Sequence, residues 1–279
     1  MLGVITSYFN LSDNPWMFHN YCEFQKQMKD IPFFTVELSF TGNFKTDAIL
    51  QLEAGDDHFL CQKSRLLNLL VDRLPVEIDS LAWVDSDILF LNPDWYQQAE
   101  HALREHSVVQ LLSGTHWLNK ERAIEQKILS GGYWPRYPRP HCGHAWAIRR
   151  ESWGKIDGLF DLDIVGGSDV WMAHAFYDEK SGKFLEQVPR TLLESFAKYS
   201  EKCNQVIQGR VGKIRGDILH MFQGELRERL FWTRHQLMKH CCYCPLTDVI
   251  TDSKGLIQWT GGNQKLESQV RKLLELRVN

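Results

Sequence analysis

Strand-like and helix-like segments alternate over the first 84 residues of the chain. Residues 3–8, 31–40 and 81–84 are apolar runs of the kind found in strands. Residues 16–28 predict a helix, and within residues 60–74 leucine and valine recur every three or four positions, as on the buried face of a helix. This β-α-β-α-β order predicts an α/β fold with a mostly parallel central sheet flanked by helices.

Length and composition fit an ordinary globular enzyme. The chain has 279 residues, of which 43% are hydrophobic, enough for one sizeable core. A formal charge of −3 argues against a protein that holds nucleic acid by bulk charge alone. No apolar stretch approaches the roughly 20 residues of a membrane span, and the apolar residues 2–5 are too few for a signal peptide. We therefore expect a cytoplasmic protein whose seven cysteines are reduced thiols.

Two acidic residues follow the apolar run 81–84. Asp85 and Asp87 are two positions apart, so in an extended chain both carboxylates would face the same side. Carboxylates bind hard divalent cations, and the carboxyl ends of strands are where open α/β sheets bind ligands. The pair predicts a cation that also binds a diphosphate. The alternatives are acids that cap a turn or a helix, and a phosphatase-type pair whose first Asp is a nucleophile.

Several polar residues lie where a nucleotide would sit beside such a cation. Two follow or end the first strand, one lies near the end of the second, and three share the helix predicted within residues 60–74. Their side chains can hydrogen-bond to a base or stack on it, accept a hydrogen bond from a ribose hydroxyl, or bind a diphosphate. For each, a solvated or structural side chain is the alternative. These candidates are Thr6, Tyr8, Glu37, Lys63, Arg65 and Asn68.

A Gly-Gly-Ser-Asp turn at residues 166–169 precedes a predicted helix. Gly166 and Gly167 allow backbone to approach a ligand closely, so we expect them to contact an acceptor. Asp169 would project from the start of the helix, and a carboxylate in a pocket is a common general base. A helix N-terminus lowers the pKa of a carboxylate and weakens it as a base, and a simple N-terminal acid is the alternative.

A short apolar strand within residues 216–224 delivers His220 to its end. An imidazole there can complete the coordination of an ion held by Asp87, although a lone histidine is also commonly structural. Three arginines follow closely and can neutralise a leaving diphosphate. They are Arg227, Arg229 and Arg234.

Cysteine and histidine cluster at residues 141–144 and 240–244. Together the two clusters could supply a tetrahedral zinc site. Neither has paired Cys-x-x-Cys spacing, so packed or surface thiols are the alternative.

The Asp-x-Asp at 85–87, the Gly-Gly-Ser-Asp at 166–169 and the histidine after the last core strand together resemble a GT-A glycosyltransferase. The resemblance implies a single Rossmann-like GT-A domain over residues 1–279 with a smaller acceptor-side region. Its nucleotide-sugar-binding half is expected at 1–95 and its acceptor-binding and catalytic half at 96–279. The resemblance also implies Mn²⁺ or Mg²⁺ held by Asp87 and His220, with Asp85 reaching the metal or the ribose. The donor would be a UDP-sugar, and Asp169 would be the base of an inverting enzyme.

A narrower resemblance rests on His-x-x-x-Gly at 220–224, Arg229-x-Phe231-x-x-Arg234 and the segment 247–259. It is similar to phage and bacterial members, including the base J-type group found with TET/JBP oxygenases, which place sugars on hydroxymethylated pyrimidines in DNA. Relatives often carry a second histidine where this chain has Gln223. A phage-encoded protein would act in the host cytoplasm.

For a DNA acceptor, basic and aromatic residues between 133 and 150 would contact phosphates and an extruded base. The same side chains also suit a sugar acceptor, and an irregular surface loop is the alternative. Three other functions stay open: a transferase acting on envelope or other glycans, a non-catalytic nucleotide-sugar-binding module, and a nucleotidyltransferase. The acceptor candidates are Tyr133, Trp134, Arg136, Arg139, Trp146, Arg149 and Arg150.

Overall fold

The computed structural model describes residues 1–129, 141–225 and 234–276. Within them the strands are β1 (Leu2–Phe9), β2 (Phe33–Ser39), β3 (Leu50–Glu53), β4 (Ser80–Val84), β5 (Ile88–Phe90), β6 (Val108–Gln110), β7 (Gly114–Leu118), β8 (Ile124–Leu129), β9 (Ala145–Arg149), β10 (Val211–Lys213), β11 (Asp217–His220), β12 (Val249–Thr251) and β13 (Ile257–Trp259). The helices are α1 (Pro15–Gln27), α2 (Lys63–Val71), α3 (Trp95–Glu105), α4 (Arg150–Lys155), α5 (Ser168–Phe176), α6 (Lys183–Glu186), α7 (Arg190–Ile207), α8 (Arg234–His240) and α9 (Gln264–Glu275).

The central sheet has the strand order β10-β6-β9-β4-β1-β2-β3. Neighbouring strands in it run parallel except at β9, which is antiparallel to both β4 and β6. Helices pack on the sheet, for example α2 against β1 and β2, and α4 against β4 and β9. The predicted α/β fold, with a mostly parallel central sheet flanked by helices, is confirmed.

A smaller sheet, in the order β5-β11-β7-β8, stands beside the central one, and β12 and β13 form a separate hairpin. The smaller sheet combines β5, which comes directly after the acidic pair, with strands from later in the chain. The central sheet likewise takes β6, β9 and β10 from beyond residue 95. Both proposed halves therefore build the same sheets, and the division at residue 95 stays a prediction.

The central strands are buried on both faces. Consecutive residues of β1, among them Val4 and Ile5, have no exposed surface, as expected for the middle strand of a parallel sheet. On one face Trp83 of β4 stacks on Trp146 of β9, with ring centroids 6.5 Å apart. On the other face Val4 packs with Phe24 of α1. Two apolar layers thus hold the sheet rigidly from either side.

Helix α2 is shorter than the residues 60–74 suggested by its leucine spacing. A 3-10 turn, Asp56–His58, precedes it, and the guanidinium of Arg150 donates hydrogen bonds to the carbonyls of Val71, Leu74, Pro75 and Ile78 just after its last turn. The carbonyl of Val71, the last residue of α2, has no partner within the helix, and Arg150 satisfies it while tying down the turn that follows. In the described part of the chain no helix is both long and apolar enough to span a membrane.

Candidate active site

A cleft of about 250 Å³ lies at the carboxyl ends of β1 and β4. This is the edge of a parallel sheet where ligands usually bind. Many of the residues predicted from the sequence line it, although they come from distant parts of the chain. They are Thr6, Lys63, Asp85, Asp87, Gly166, Gly167, Asp169, His220 and Arg234.

Three side chains in the cleft could hold a metal ion. Asp87, His144 and His220 each offer one ligand atom, and these atoms all lie within 4.8 Å of one another. The Nε2 atom of His220 is 3.2 Å from Oδ2 of Asp87. His144 is 4% exposed, and its Nε2 has no hydrogen-bond partner among the described residues. A buried imidazole nitrogen without a partner is costly unless it binds something, so the three donors fit a divalent cation.

Strand pairing explains how His220 comes to meet Asp87, 133 positions earlier. Strand β11 pairs antiparallel with β5, which places His220 opposite Ile88, the residue after Asp87. The backbone N–H of Met221 then donates to the carbonyl of Asp87 over 2.7 Å. The His220 ring stacks on Trp117 of β7 with a centroid separation of 3.9 Å, which fixes its orientation.

The two acids of the Asp-x-Asp pair face different partners, because the extended conformation of β4 ends at Val84 and Ser86 and Asp87 form a turn. Oδ1 of Asp85 is 2.5 Å from Nζ of Lys63, and its Oδ2 is 3.5 Å from Nδ1 of His144. Asp85 therefore lies beside the three clustered donors and not among them. The two carboxylates thus do not face the same side as they would in an extended chain, and the contact of Asp85 with the metal or the ribose stays a prediction.

Lys63 links Asp85 to Asp169. Its ammonium, at the start of α2, also lies 3.5 Å from Oδ1 of Asp169. Burial acts to lower the pKa of Lys63, but the carboxylates of Asp169 and Asp85 outweigh it and raise that pKa above its usual value. Burial likewise acts to raise the pKa of Asp85, and Lys63 and His144 outweigh it and lower that pKa. Lys63 and Asp85 are therefore a charged pair at neutral pH.

Asp169 follows the first residue of α5. A helix N-terminus alone would lower its pKa. Burial nevertheless raises the pKa of Asp169 above its ordinary value, despite the opposing charge of Lys63. Burial therefore acts against the effect of the helix N-terminus, in the direction that strengthens Asp169 as a base.

A buried network supports the glycine turn that presents Asp169. Gly167 has φ +112°, and a methyl group added to it would lie 2.6 Å from Nη2 of Arg234. Oδ2 of Asp163, whose side chain is fully buried, lies 3.2 Å from Nε2 of His235 and accepts a hydrogen bond from Trp171 over 3.1 Å. The positive φ and the nearby guanidinium of Arg234 leave no room for a side chain at residue 167, which must therefore be glycine.

The Asp163 carboxylate should make stability depend on pH. Burial acts to raise its pKa, but His235 and Arg234 outweigh burial and lower the pKa below its ordinary value. In the unfolded chain the carboxyl titrates near about 3.9. The folded state thus binds fewer protons, so this stabilisation is present above about pH 4 and is lost as the pH falls through the lower folded pKa.

Urea unfolding between pH 7 and pH 3 measures this contribution. We expect the free energy of unfolding to fall below about pH 4 in the wild type and to fall less steeply in Asp163→Asn. Identical slopes in the two proteins would show that another carboxylate carries the pH dependence.

Two of the predicted nucleotide contacts serve the fold. Glu37 is buried, and its carboxylate accepts hydrogen bonds from the backbone N–H groups of Lys45 and Thr46 and from the Thr46 hydroxyl. Tyr8 is buried against Phe18, and burial raises its pKa to about 12. Glu37 therefore organises the loop after β2, and neither side chain faces the cleft. Their positions at strand ends allowed exposure, but the loop after β2 covers Glu37, and Phe18 and Tyr21 of α1 pack against Tyr8.

Thr6 lies in the cleft wall and is engaged through its hydroxyl. Its Oγ1 donates to the carbonyl of Val84 over 2.7 Å, which ties β1 to β4 next to the acidic pair. The side chain is 1% exposed. Its contact with a nucleotide stays a prediction.

Arg65 and Asn68 point away from the cleft. Arg65 donates through Nε to the carbonyl of Gly255, in the turn between β12 and β13, and lies 3.2 Å from Asp161. Asn68 exchanges two hydrogen bonds with the backbone of Leu159. These two residues dock later segments onto α2, so the assignment of both to a diphosphate is corrected.

The acceptor candidates that the structure describes are also engaged elsewhere. Trp146 is 1% exposed, and its indole N–H donates to the carbonyl of Cys142. Arg149 donates to the Leu103 carbonyl, and Arg150 caps α2 as described above. Both arginines lie at the end of β9 that pairs with Ser80, opposite the cleft end of β4. They line a separate open hollow of about 880 Å³ and not the cleft.

Six further candidates lie outside the described residues. Tyr133, Trp134, Arg136 and Arg139 fall within 130–140, and Arg227 and Arg229 fall within 226–233. Their predicted roles stay predictions.

His144 was not among the cation ligands predicted from the sequence, and Gln223 entered only as a departure from the relatives. His144 was weighed as part of a zinc cluster. Among the described residues, Asp87, His144 and His220 are the group within coordinating reach, and no cysteine of residues 240–244 belongs to it. Gln223 donates from Nε2 to Oδ2 of Asp87. The one sequence feature that could have indicated a place for His144 in the cleft was its position next to an apolar strand.

No protein-family model and no curated protein matches the chain. Among solved structures, the catalytic domain of Drosophila beta1,4-galactosyltransferase 7 with xylobiose is 14% identical, with a TM-score of 0.39 over 63% of this chain and 60% of that chain. A variant of that enzyme with manganese, UDP-Gal and xylobiose is 15% identical, with a TM-score of 0.40 over 63% and 61%. A 4-diphosphocytidyl-2C-methyl-D-erythritol synthase from Anaerococcus prevotii is 10% identical, with a TM-score of 0.37 over 77% and 89%.

This chain thus spans about three fifths of the galactosyltransferase chains that it matches. At these identities and TM-scores the likeness transfers no substrate, site residue or activity.

Proposed function

We propose that the protein is a metal-dependent, inverting glycosyltransferase that moves a sugar from a nucleoside-diphosphate sugar, a UDP-sugar, to a hydroxyl acceptor. The observation that carries this proposal is the convergence of Asp87, His144 and His220 at the carboxyl edge of a parallel sheet, in the same cleft as Asp169. A cation beside a carboxylate base suits a reaction in which a diphosphate leaves and a hydroxyl attacks.

Asp87, His144 and His220 would hold the cation. Bound there, it supplies positive charge that stabilises the departing diphosphate. Two imidazole nitrogens and one carboxylate favour a transition metal such as Mn²⁺ over Mg²⁺, which prefers oxygen ligands. We therefore assign Mn²⁺ as the working ion, with Mg²⁺ the weaker alternative.

The remaining roles belong to Lys63 and Asp169. The Asp169 carboxylate accepts the proton of the attacking hydroxyl as the acceptor oxygen bonds to the anomeric carbon. The bond between that carbon and the phosphate oxygen breaks, and its electron pair leaves with the nucleoside diphosphate. Lys63 lies within 3.5 Å of Asp169 and carries a positive charge at neutral pH, so it can bind the leaving phosphate from the same wall. Attack opposite the leaving group inverts the anomeric carbon.

The test is release of the nucleoside diphosphate from a panel of sugar donors, with water as acceptor and with or without Mn²⁺. We expect slow, Mn²⁺-dependent release from at least one UDP-sugar. A folded protein that binds Mn²⁺ and UDP but releases nothing would indicate a binding module. Release of pyrophosphate from a nucleoside triphosphate and a sugar phosphate would indicate nucleotidyl transfer instead.

Hydroxymethylated pyrimidine in DNA is the finer acceptor proposal, and it rests on the sequence resemblance alone. Of its basic candidates, the two that the structure describes lie away from the cleft. A transfer assay distinguishes a DNA acceptor from envelope or other glycans. It compares labelling of duplexes that contain hydroxymethyluracil or hydroxymethylcytosine with labelling of free glycans. Labelling of glycans alone would refute the DNA acceptor. A cytoplasmic, or host-cytoplasmic, location stays part of the same proposal.

A further inference from the structure

A buried glutamine stands behind the candidate metal site. Gln110, the last residue of β6, has no exposed surface, and in the sheet it lies opposite Trp146 of β9 and Lys213 of β10. Burying an amide in a sheet is unfavourable unless the amide is hydrogen-bonded. The hydrogen bonds of this amide therefore indicate its role.

Both hydrogen bonds from the Gln110 side chain reach one short segment, residues 141–144. Its Nε2 donates to the carbonyl of His141 over 3.0 Å and to the carbonyl of Gly143 over 3.4 Å. Because both partners are acceptors, the amide group can only be placed with its NH₂ toward them. Its Oε1 is buried without a hydrogen-bond partner among the described residues, so the bonds to this segment are retained at the expense of an unsatisfied oxygen.

The segment that Gln110 holds is strained at the residue offered to the metal. His144 has φ +80°, a backbone conformation that side chains other than glycine rarely adopt. Its carbonyl accepts from the N–H of Asp85 over 2.8 Å, and its ring stacks on His141 at 4.1 Å with an angle of 3° between the planes. A strained conformation persists only where its surroundings fix it.

We propose that Gln110 is a positioning residue for the metal site: by holding the carbonyls of His141 and Gly143, it keeps His144 in the backbone conformation that aims its imidazole at Asp87 and His220. This inference rests on the metal site of the proposed function. Gln110 does not line the cleft and contacts neither Asp87 nor His220 through any bond described above, so it acts through His144. Residues that orient a metal ligand in this way typically contribute about 10- to 100-fold to metal affinity.

The test is the affinity for Mn²⁺ alone, measured by calorimetry on the full chain without any sugar donor. Gln110→Leu has nearly the size of glutamine but cannot donate, and we expect it to weaken Mn²⁺ binding by about 10- to 100-fold. Gln110→Met keeps the unbranched shape and is the second variant if leucine prevents folding. Thr115→Val is the matched control: Thr115 is also fully buried in a strand, and its hydroxyl has no partner among the described residues. We expect the control to bind Mn²⁺ as the wild type does.

A double-mutant cycle separates positioning from a general loss of structure. In a His144→Ala background the Gln110 substitution should have no further effect on Mn²⁺ affinity, because the residue through which it acts is gone. Pulsed EPR of the bound Mn²⁺ should detect two coordinated imidazoles in the wild type and one in Gln110→Leu.

The outcomes distinguish a failure of this inference from a failure of the proposed function. A wild type that does not bind Mn²⁺ refutes the metal site of the proposed function. A wild type that binds, together with Gln110 variants of unchanged affinity, refutes the positioning role alone. Equal losses from the Gln110 substitution with and without His144 would also refute it.

Discussion

Asp169→Asn is expected to lower Mn²⁺-dependent release of UDP by about 10²-fold or more. Asparagine has the shape of aspartate but cannot accept the proton of the attacking hydroxyl. Lys63 keeps Asp85 as its partner at 2.5 Å in the variant, so the cleft should retain its charge pair. The affinities for Mn²⁺ and UDP should therefore change by no more than about threefold, and the loss should lie in kcat and not in KM.

The matched control for this variant is Asp161→Asn. Asp161 is as exposed as Asp169, at 20% against 21% of the side chain, and it also pairs with a cation, Arg65, but outside the cleft. We expect it to keep the wild-type rate. Full activity in Asp169→Asn would mean that another group is the base, and a loss of UDP affinity equal to the loss of rate would make Asp169 a binding residue.

Asp87→Ala is expected to abolish Mn²⁺ binding in the concentration range that saturates the wild type. Asp87 supplies the single carboxylate among the three clustered donors, so its removal leaves two imidazoles and no anionic ligand. Because changes behind the ligands already cost up to about 100-fold in affinity, loss of the charged ligand should cost more than about 100-fold. Release of UDP should fall in parallel, since the proposed reaction depends on the cation.

Asp217→Asn is the control for Asp87→Ala. Asp217 begins β11, the strand that ends in His220, and it also pairs with a histidine, His116, with 2.8 Å between Oδ2 and Nε2. The Asp217–His116 pair is not part of the donor group. Equal loss of Mn²⁺ affinity in both variants would mean that the effect comes from disturbing β11 and not from removing a ligand.

The sequence was sufficient to predict those features that depend on local periodicity. The apolar runs that became β1, β2 and β4 and the leucine spacing of α2 reflect burial on one or two faces, and these patterns are visible in any short window. The meeting of Asp87 and His220 was also foreseeable, because each follows an apolar run at the edge where a ligand was expected. Their actual contact depends on the pairing of β5 with β11.

Features that depend on long-range pairing could not be read from the sequence. His144 reaches the cleft because β9 runs antiparallel beside β4, with Ala145 opposite Val84, and because its backbone adopts a positive φ. The same pairing places Trp146 opposite Trp83, so this predicted acceptor contact is buried in the core. Arg65 lost its predicted role because the β12–β13 hairpin docks on α2 from the far end of the chain.

The most direct test of a cation held by Asp87, His144 and His220 for sugar transfer is the rate of UDP release from a UDP-sugar as a function of Mn²⁺ concentration, in the wild type and in His220→Ala. We predict a saturable dependence that EDTA abolishes and whose midpoint rises more than about 100-fold in the variant. Equal release in EDTA, or superimposable curves for the two proteins, would contradict it.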